Sequence, residues 1–338
     1  KWIKSFLTDR TLSVKIGNCL SQKFNISSGI PQGTRLGPLL FLFYISDIPT
    51  FCQTEGVILK FFADHLKAYI AFKNNIDTKK MDNFLDLFQN WCVINKLAIS
   101  EPKCSVLHLG KNNPQHNYNL NNMVIPKVDQ AVRDLGVMIT PKLTWSYHIS
   151  LICSKARQRN HLLFKILRSN SASFLTKMYV TYVRPVLESF SNIFNPHLRK
   201  DIESLEKVQR TATRMIFARC FNLSYNQMPA YEDRLKKLKL QKLSDRRTIS
   251  DLILFYKILN KLVDINTKTK IQWVKTRARR GHGWNLYIPA TNNPLRTQSF
   301  LIRVAHLYTK LPNEIQKAPT LGIFKHHVKS INFPIEQN

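Results

Sequence analysis

Residues 28–41 read SGIPQGTRLGPLLF, and residues 61–65 read FFADH. The first run joins a glycine- and proline-rich loop to an apolar segment, which predicts a loop followed by a helix over residues 39–44. Glycine lets the backbone approach a ligand closely, and the Gln32 amide both donates and accepts hydrogen bonds. The second run ends an apolar strand at an acidic residue, Asp64. Taken alone, such a loop is usually a connector and such an acid is usually a turn former.

The segments around these runs predict a mixture of strands and helices. Apolar residues at 57–62 and 68–72 predict two strands of a hairpin, with its turn near residues 63–66. Helical spacing of apolar residues predicts a helix over 81–97, and further strands are predicted at 105–109 and 133–139. Because strands and helices do not alternate strictly, the pattern favours an α+β fold.

Beyond residue 140 the pattern becomes helical and basic. Apolar stripes predict helices over 149–166, 174–190, 202–216 and 243–262, with Pro185 as a kink or boundary in the second. Turn and strand signals return after about residue 265, beside a basic cluster at Lys275, Arg277, Arg279 and Arg280. We therefore expect three regions, at residues 1–140, 141–264 and 265–338.

The net charge points to an anionic partner. The chain carries 51 Lys and Arg against 21 Asp and Glu, a net charge of +30. Residues 1–140 hold 16 basic and 10 acidic residues, so most of the excess lies in residues 141–338. A nucleic acid is favoured over a membrane surface, because no strongly amphipathic membrane-surface helix stands out. A membrane span is excluded, because the apolar run at 39–45 is far shorter than the roughly 18 to 20 residues of a bilayer helix.

The six cysteines do not predict a metal site. They are widely scattered and include no Cys-x-x-Cys pair, whereas zinc sites need ligands at short paired spacings. We expect reduced structural thiols, as in an intracellular protein.

Together and in this order, the two opening motifs resemble the reverse transcriptases of non-LTR retrotransposons, particularly jockey-like mobile elements. Segments at 95–103, 133–137, 143–149 and 311–325 resemble later parts of the same family. Since the chain starts at Lys1 rather than at a methionine, the resemblance implies a C-terminal fragment of such an enzyme. The expected fold is an incomplete polymerase palm, with a mixed or antiparallel sheet and helices, then a thumb-like helical bundle and a basic C-terminal region.

The resemblance also implies the chemistry. Such polymerases use two divalent metals, Mg²⁺ or Mn²⁺, held by carboxylates. Asp64 matches a metal-binding catalytic aspartate, and Lys103 matches a lysine near the incoming triphosphate that assists proton transfer. The loop residues Pro31, Gln32 and Gly33 match the part that shapes the nucleotide and template pocket. The implied partners are an RNA template, an RNA–DNA or DNA duplex and deoxynucleoside triphosphates, with no membrane.

Two departures from the family pattern imply that polymerase activity is absent or barely detectable. His65 stands where the family has a second aspartate, and Mg²⁺ disfavours a neutral imidazole. The family's other aspartate lies upstream of the Pro-Gln-Gly loop, but the only acid before Gly29 is Asp9, which does not match that motif. No endonuclease segment is recognised either. An alternative is that His65 is a ligand retuned for manganese.

The basic residues of the helical half are candidates for phosphate contacts, although charged stripes on helices are usually solvated faces. Three hypotheses remain open: a truncated polymerase with a broken metal site, a non-catalytic nucleic-acid-binding remnant, and an unstable pseudogene product with exposed sheet edges. The candidate contacts are Lys207, Arg210, Arg214, Arg246, Arg247, Arg279 and Arg280.

Overall fold

The computed structural model describes residues 1–265, 271–275 and 284–331 of the chain. It divides into two compact units, Lys1–Asp129 and Gln130–Asn338. The division falls before the hairpin at residues 132–139, which the sequence analysis placed with the first region. The three functional regions proposed from the sequence stay a prediction.

The first unit contains small antiparallel strand pairs and four α-helices. Residues 10–26 form one interrupted hairpin, in which Arg10–Leu12 pairs with Phe24–Ile26 and Lys15–Ile16 pairs with Cys19–Leu20, and its tip holds Gly17 at a φ of 59°. The strands are β1 (Arg10–Leu12), β2 (Lys15–Ile16), β3 (Cys19–Leu20), β4 (Phe24–Ile26), β5 (Ile58–Phe62), β6 (His65–Tyr69), β7 (Asn119–Leu120) and β8 (Met123–Val124). The helices are α1 (Trp2–Leu7), α2 (Gly37–Tyr44), α3 (Ile48–Phe51) and α4 (Asn75–Ile94).

The core of the first unit lies between α4, the α2–α3 segment and the β5–β6 hairpin. Phe84 and Trp91, seven residues apart and therefore on one face of α4, are fully buried. Leu59 and Phe61 pack against this core from β5, whereas the alternate residues Lys60 and Phe62 are exposed. The hairpin that the sequence predicts therefore has one half-buried face and one exposed face.

The second unit is mainly helical. Its described residues include two further strand pairs, β9 (Val132–Asp134) with β10 (Val137–Ile139) and β11 (Gln272–Lys275) with β12 (Trp284–Tyr287). Its helices are α5 (Ser146–Ile166), α6 (Ala172–Met178), α7 (Arg184–Glu188), α8 (Ser191–Phe194), α9 (Arg199–Phe221), α10 (Tyr231–Leu238), α11 (Leu243–Leu259), α12 (Pro294–Thr297), α13 (Phe300–Thr309), α14 (Asn313–Gln316) and α15 (Leu321–Ser330).

Two apolar clusters hold the second unit together. In the first, Ile149 and Ala156 of α5 pack with Leu205 and Ala212 of α9. In the second cluster, α11, α13 and α15 pack together, and the rings of Tyr256 and Phe324 stack with their centroids 4.3 Å apart. Each cluster buries one stripe of an amphipathic helix, which is the usual way such helices are stabilised.

A π-helix at Tyr179–Val183 interrupts the segment that the sequence predicts as one helix over 174–190. It lies between α6 and α7, and Pro185 occupies the first turn of α7, where a missing N–H is tolerated. The predicted boundary at Pro185 is therefore close to the observed start of α7.

The fold class is α+β, as the sequence predicts, but two details differ. Within the described residues, the named strands form six separate antiparallel pairs rather than one palm-like sheet. The region after residue 265 was expected to contain turns and strands, whereas its second half forms α12 to α15. Apolar residues in those helices complete the core around α11. This long-range packing outweighs the local turn and strand propensities of the segment.

No helix in the described part of the chain combines the length and the apolar character needed to cross a bilayer.

Candidate functional site

Asp64 lies at the tip of the β5–β6 hairpin. Phe62 pairs with His65, so Ala63 and Asp64 alone form the turn, and Ala63 takes a left-handed φ of 51°. The Asp64 side chain is 79% exposed and the His65 side chain 64% exposed, with Asp64 Oδ1 4.0 Å from His65 Nε2. The local strand pairing therefore presents a carboxylate and an imidazole side by side to solvent.

The loop before α2 is organised by its own polar groups. The Thr34 hydroxyl donates to the Pro31 carbonyl over 2.9 Å and accepts from the Gly37 N–H over 3.1 Å. A side chain at Gly37 would place its Cβ 2.9 Å from the Pro31 oxygen, so only glycine fits there. Gln32 and Gly33 are exposed at the loop surface, with Gly33 at a φ of 75°, while Pro31 is half-buried.

Two polar contacts tie the segment after this loop to α4. The Trp91 indole Nε1 donates to Asp47 Oδ2 over 3.2 Å, and the Tyr44 hydroxyl donates to the Asn95 carbonyl. Local sequence patterns do not link Asp47 to Trp91, because 44 residues separate them in the chain. These two contacts join α4 and its C-terminal end to the end of α2 and to the residue before α3.

Lys103 is the last residue of a 3₁₀-helix, Glu101–Lys103, and is exposed. Glu101 in the same turn accepts a hydrogen bond from the Asn121 amide over 2.7 Å, which fixes the turn. Among the contacts described within residues 1–265, none joins Lys103 to Asp64 or to Gln32. The three elements lie in one unit, but the structure shows no shared constellation of their side chains.

The described residues do not form a two-metal carboxylate site. Over residues 1–265, 271–275 and 284–331, no three His, Cys, Asp or Glu side chains are close enough to hold one ion. The neighbour of the Asp64 carboxylate is a histidine, whose nitrogen suits Mg²⁺ poorly. This donor set does not fit the metal pair that the family implies, and we derive no catalytic step through a metal.

The basic candidates separate into exposed and enclosed groups. Lys207, Arg210 and Arg214 are exposed along α9, at i, i+3 and i+7. Arg246 is instead held by Glu188 through two hydrogen bonds, which chiefly raise the pKa of its guanidinium. Arg279 and Arg280 lie outside the described residues.

Arg247 corrects the sequence analysis. Arg247 is only 2% exposed, and its Nε and Nη1 atoms have no hydrogen-bond partner among the described residues. Burial lowers the pKa of its guanidinium. Leu243 and Asp251, one turn before and after it on α11, are also buried. This four-residue spacing was the sequence signal that places Arg247 on the inner face of α11. It cannot contact a phosphate on the surface.

Arg210 and Arg214 border a cleft that also contains Tyr225, Tyr231 and Arg234. These last three residues are not among the basic candidates that the sequence indicates. The sequence feature that could have indicated them is the interleaving of aromatic residues with arginines, which is typical of nucleic-acid-binding surfaces.

A family model described as "Reverse transcriptase (RNA-dependent DNA polymerase)" matches residues 1–174, just over half of the chain. The RNA-directed DNA polymerase from the mobile element jockey of Drosophila melanogaster is 32% identical over 157 residues, 44% of this chain and 17% of that protein.

Two further relatives match longer segments. The probable RNA-directed DNA polymerase from the transposon X-element of Drosophila melanogaster is 24% identical over 224 residues. The jockey polymerase of Drosophila funebris is 25% identical over 224 residues. Each of these matches covers 63% of this chain and 24% of the relative. The chain therefore spans about a quarter or less of the length of these three relatives.

Proposed function

The chain belongs to the reverse transcriptase family, and we propose that it is part of a polymerase of a jockey-like non-LTR mobile element and does not extend primers by itself. This proposal rests on the position of His65 directly beside Asp64. Asp64 matches the first aspartate of the family's hairpin pair, and the second is replaced by an imidazole.

Electrostatics supports the loss of activity. Two-metal nucleotidyl transfer needs several carboxylates around ions about 3.5–4 Å apart. Removing one unit charge about 4 Å from a divalent ion costs on the order of several kcal/mol, even at an effective dielectric near 20. Asp64 is mostly exposed to water, and its neighbour His65 cannot supply the missing charge.

Primer extension on an RNA template, with Mg²⁺ and with Mn²⁺, tests this proposal on the 338-residue chain. We expect no extension above background in either metal, and clear processive extension would refute it. A fusion that adds an upstream palm segment from a jockey relative should extend primers only when it also carries His65→Asp.

Two controls sharpen the fusion experiment. Asp64→Asn in the extending fusion should abolish synthesis, because Asp64 is the proposed ligand. Asp9→Asn should leave synthesis unchanged, since Asp9 is an exposed turn residue and asparagine tolerates its left-handed φ of 52°. Extension by the fusion with His65 in Mn²⁺ alone would favour a retuned manganese site.

A second function, non-catalytic binding of nucleic acid, is supported by the surface of α9. Lys207, Arg210 and Arg214 are exposed there within two turns, and like charges at this spacing repel each other unless a polyanion lies between them. The proposed partners are an RNA template and an RNA–DNA or DNA duplex. An unstable pseudogene product is the remaining alternative: aggregation without a cooperative melt would support it, and a cooperative melt would contradict it.

A further inference from the structure

A cleft of about 450 Å³ lies between α9 and the segment that leads into α10. Arg210 and Arg214 border it from α9, and Tyr225, Tyr231 and Arg234 border it from the other side. Its size suits a single small organic group rather than a whole helix. Nothing in the polymerase proposal uses this cleft.

The floor of the cleft is rigidly built. Tyr231 is buried, and its hydroxyl donates to Glu206 and accepts from the Gln209 amide over 2.9 Å. Glu206 in turn accepts the Leu243 N–H at the start of α11, which ties the floor to three helices. The Tyr231 ring is therefore fixed without any ligand.

Three guanidinium groups surround this floor. Arg210 and Arg234 lie with Cζ 5.1 and 5.6 Å from the Tyr231 ring centroid. Arg234 is 3% exposed and is held by Thr213 and the Pro229 carbonyl. Burial chiefly lowers the pKa of Arg234, and the nearby charge of Arg214 lowers it further.

The positive charge of the cleft is only partly balanced. Glu232 is the acidic residue in the lining, and its Oε1 lies 3.1 Å from Lys242 Nζ. In the described part of the chain, no carboxylate lies within ion-pair distance of Arg210 or Arg214. An anion between these two arginines would therefore relieve their mutual repulsion.

Tyr225 adds an aromatic surface at the mouth of the cleft. It begins the 3₁₀-helix Tyr225–Gln227 and remains 78% exposed, although Arg214 Cζ lies 5.7 Å from its ring centroid. A large exposed aromatic ring beside arginines is the arrangement on which unpaired bases stack in single-strand-binding proteins.

We propose that this cleft binds one nucleotide of an unpaired nucleic-acid strand, with its phosphate between Arg210 and Arg214 and its base stacked on Tyr225. This inference rests on the proposed nucleic-acid-binding function and adds a specific preference to it. A duplex cannot use the ring, because its bases are already stacked on each other.

Fluorescence anisotropy on the full chain tests the inference with two labelled single strands of equal length, one with all its bases and one abasic. Tyr225→Ala should weaken binding of the intact strand about tenfold and leave binding of the abasic strand unchanged. Arg214→Gln should weaken binding of both strands, because it removes a phosphate contact. Tyr182→Ala and Lys200→Gln remove an exposed ring and an exposed charge away from the cleft, and they are the matched controls.

The outcomes separate this inference from the broader function. If Tyr225→Ala weakens both strands equally or neither strand, the stacking site is refuted, while salt-dependent binding by α9 still stands. If the wild-type chain binds neither strand nor a duplex, both proposals fail. Circular dichroism melts of each variant show whether a loss of binding reflects unfolding.

Discussion

Trp91 shows how a single side chain ties α4 to the segment between α2 and α3. It is fully buried in the first unit, and its ring meets Tyr44 edge-on with centroids 5.9 Å apart. Its indole N–H reaches Asp47, which itself is exposed. The bulk of Trp91 therefore contributes more to stability than its hydrogen bond, because Asp47 can bond to water when the indole is absent.

Substitutions at Trp91 should separate these two contributions. Trp91→Ala should lower the free energy of unfolding of the first unit by about 3–5 kcal/mol, since it leaves a large cavity. Trp91→Phe keeps most of the bulk and should cost only about 1 kcal/mol. Hydrogen exchange of α4 amides measures both values, with the exposed Val93→Ala as control. Similar losses for Phe and Ala would show that the hydrogen bond dominates.

At the scale of the element, α4 begins with a complete capping box. The Asn74 side chain accepts from the Ile76 N–H over 3.0 Å, and the Asp77 carboxylate accepts from the N–H groups of Lys73 and Asn74. These backbone hydrogen bonds, that of Lys73 first, lower the pKa of Asp77 below its ordinary 3.8. Capping satisfies N–H groups that the helix itself leaves without partners.

The cap makes the stability of α4 depend on pH. Because the pKa of Asp77 is lower in the folded state, its stabilising contribution is complete above the ordinary pKa and is lost as the pH falls through the folded value. Unfolding measured between roughly pH 5 and pH 2 should therefore show a weaker acid dependence in Asp77→Asn than in the wild type. Asp86→Asn, at an exposed position on the same helix, is the control, and equal profiles for the two variants would refute this role of the cap.

At the scale of the whole molecule, the net charge of +30 is distributed between surface and interior. Some basic residues serve the fold, since Arg247 is enclosed and Arg303 pairs with the buried Asp251. Others, including Lys207, Arg210 and Arg214, remain on the surface of α9. Only the surface group can release counterions from a nucleic acid.

The affinity for an RNA–DNA hybrid should therefore fall steeply with salt. About three phosphate contacts predict a slope near −3 in a plot of log affinity against log salt, or roughly a 40-fold loss between 50 and 200 mM. Lys207→Gln should reduce the slope by about 1. Anisotropy titrations at several salt concentrations measure this slope. An affinity that barely changes between low and high salt would contradict electrostatic binding.

Features that depend only on neighbouring residues could be predicted from the amino-acid sequence. The Asp64 hairpin, the loop before α2 and the apolar stripes of α4, α5, α9 and α11 follow from local periodicity and turn chemistry, and so does the α+β class. The motif order around Pro31 and Asp64 also identified the family that residues 1–174 match.

Which residues contact each other depends on the tertiary packing. It brings Asp47 to Trp91 and places Tyr225 beside Arg214, and it encloses Arg247 among α11 and its neighbours. It also turns the last described part of the chain into helices around α11 instead of strands. The physical reason is burial: a side chain becomes core or surface through the packing of segments distant in sequence, which local patterns do not encode.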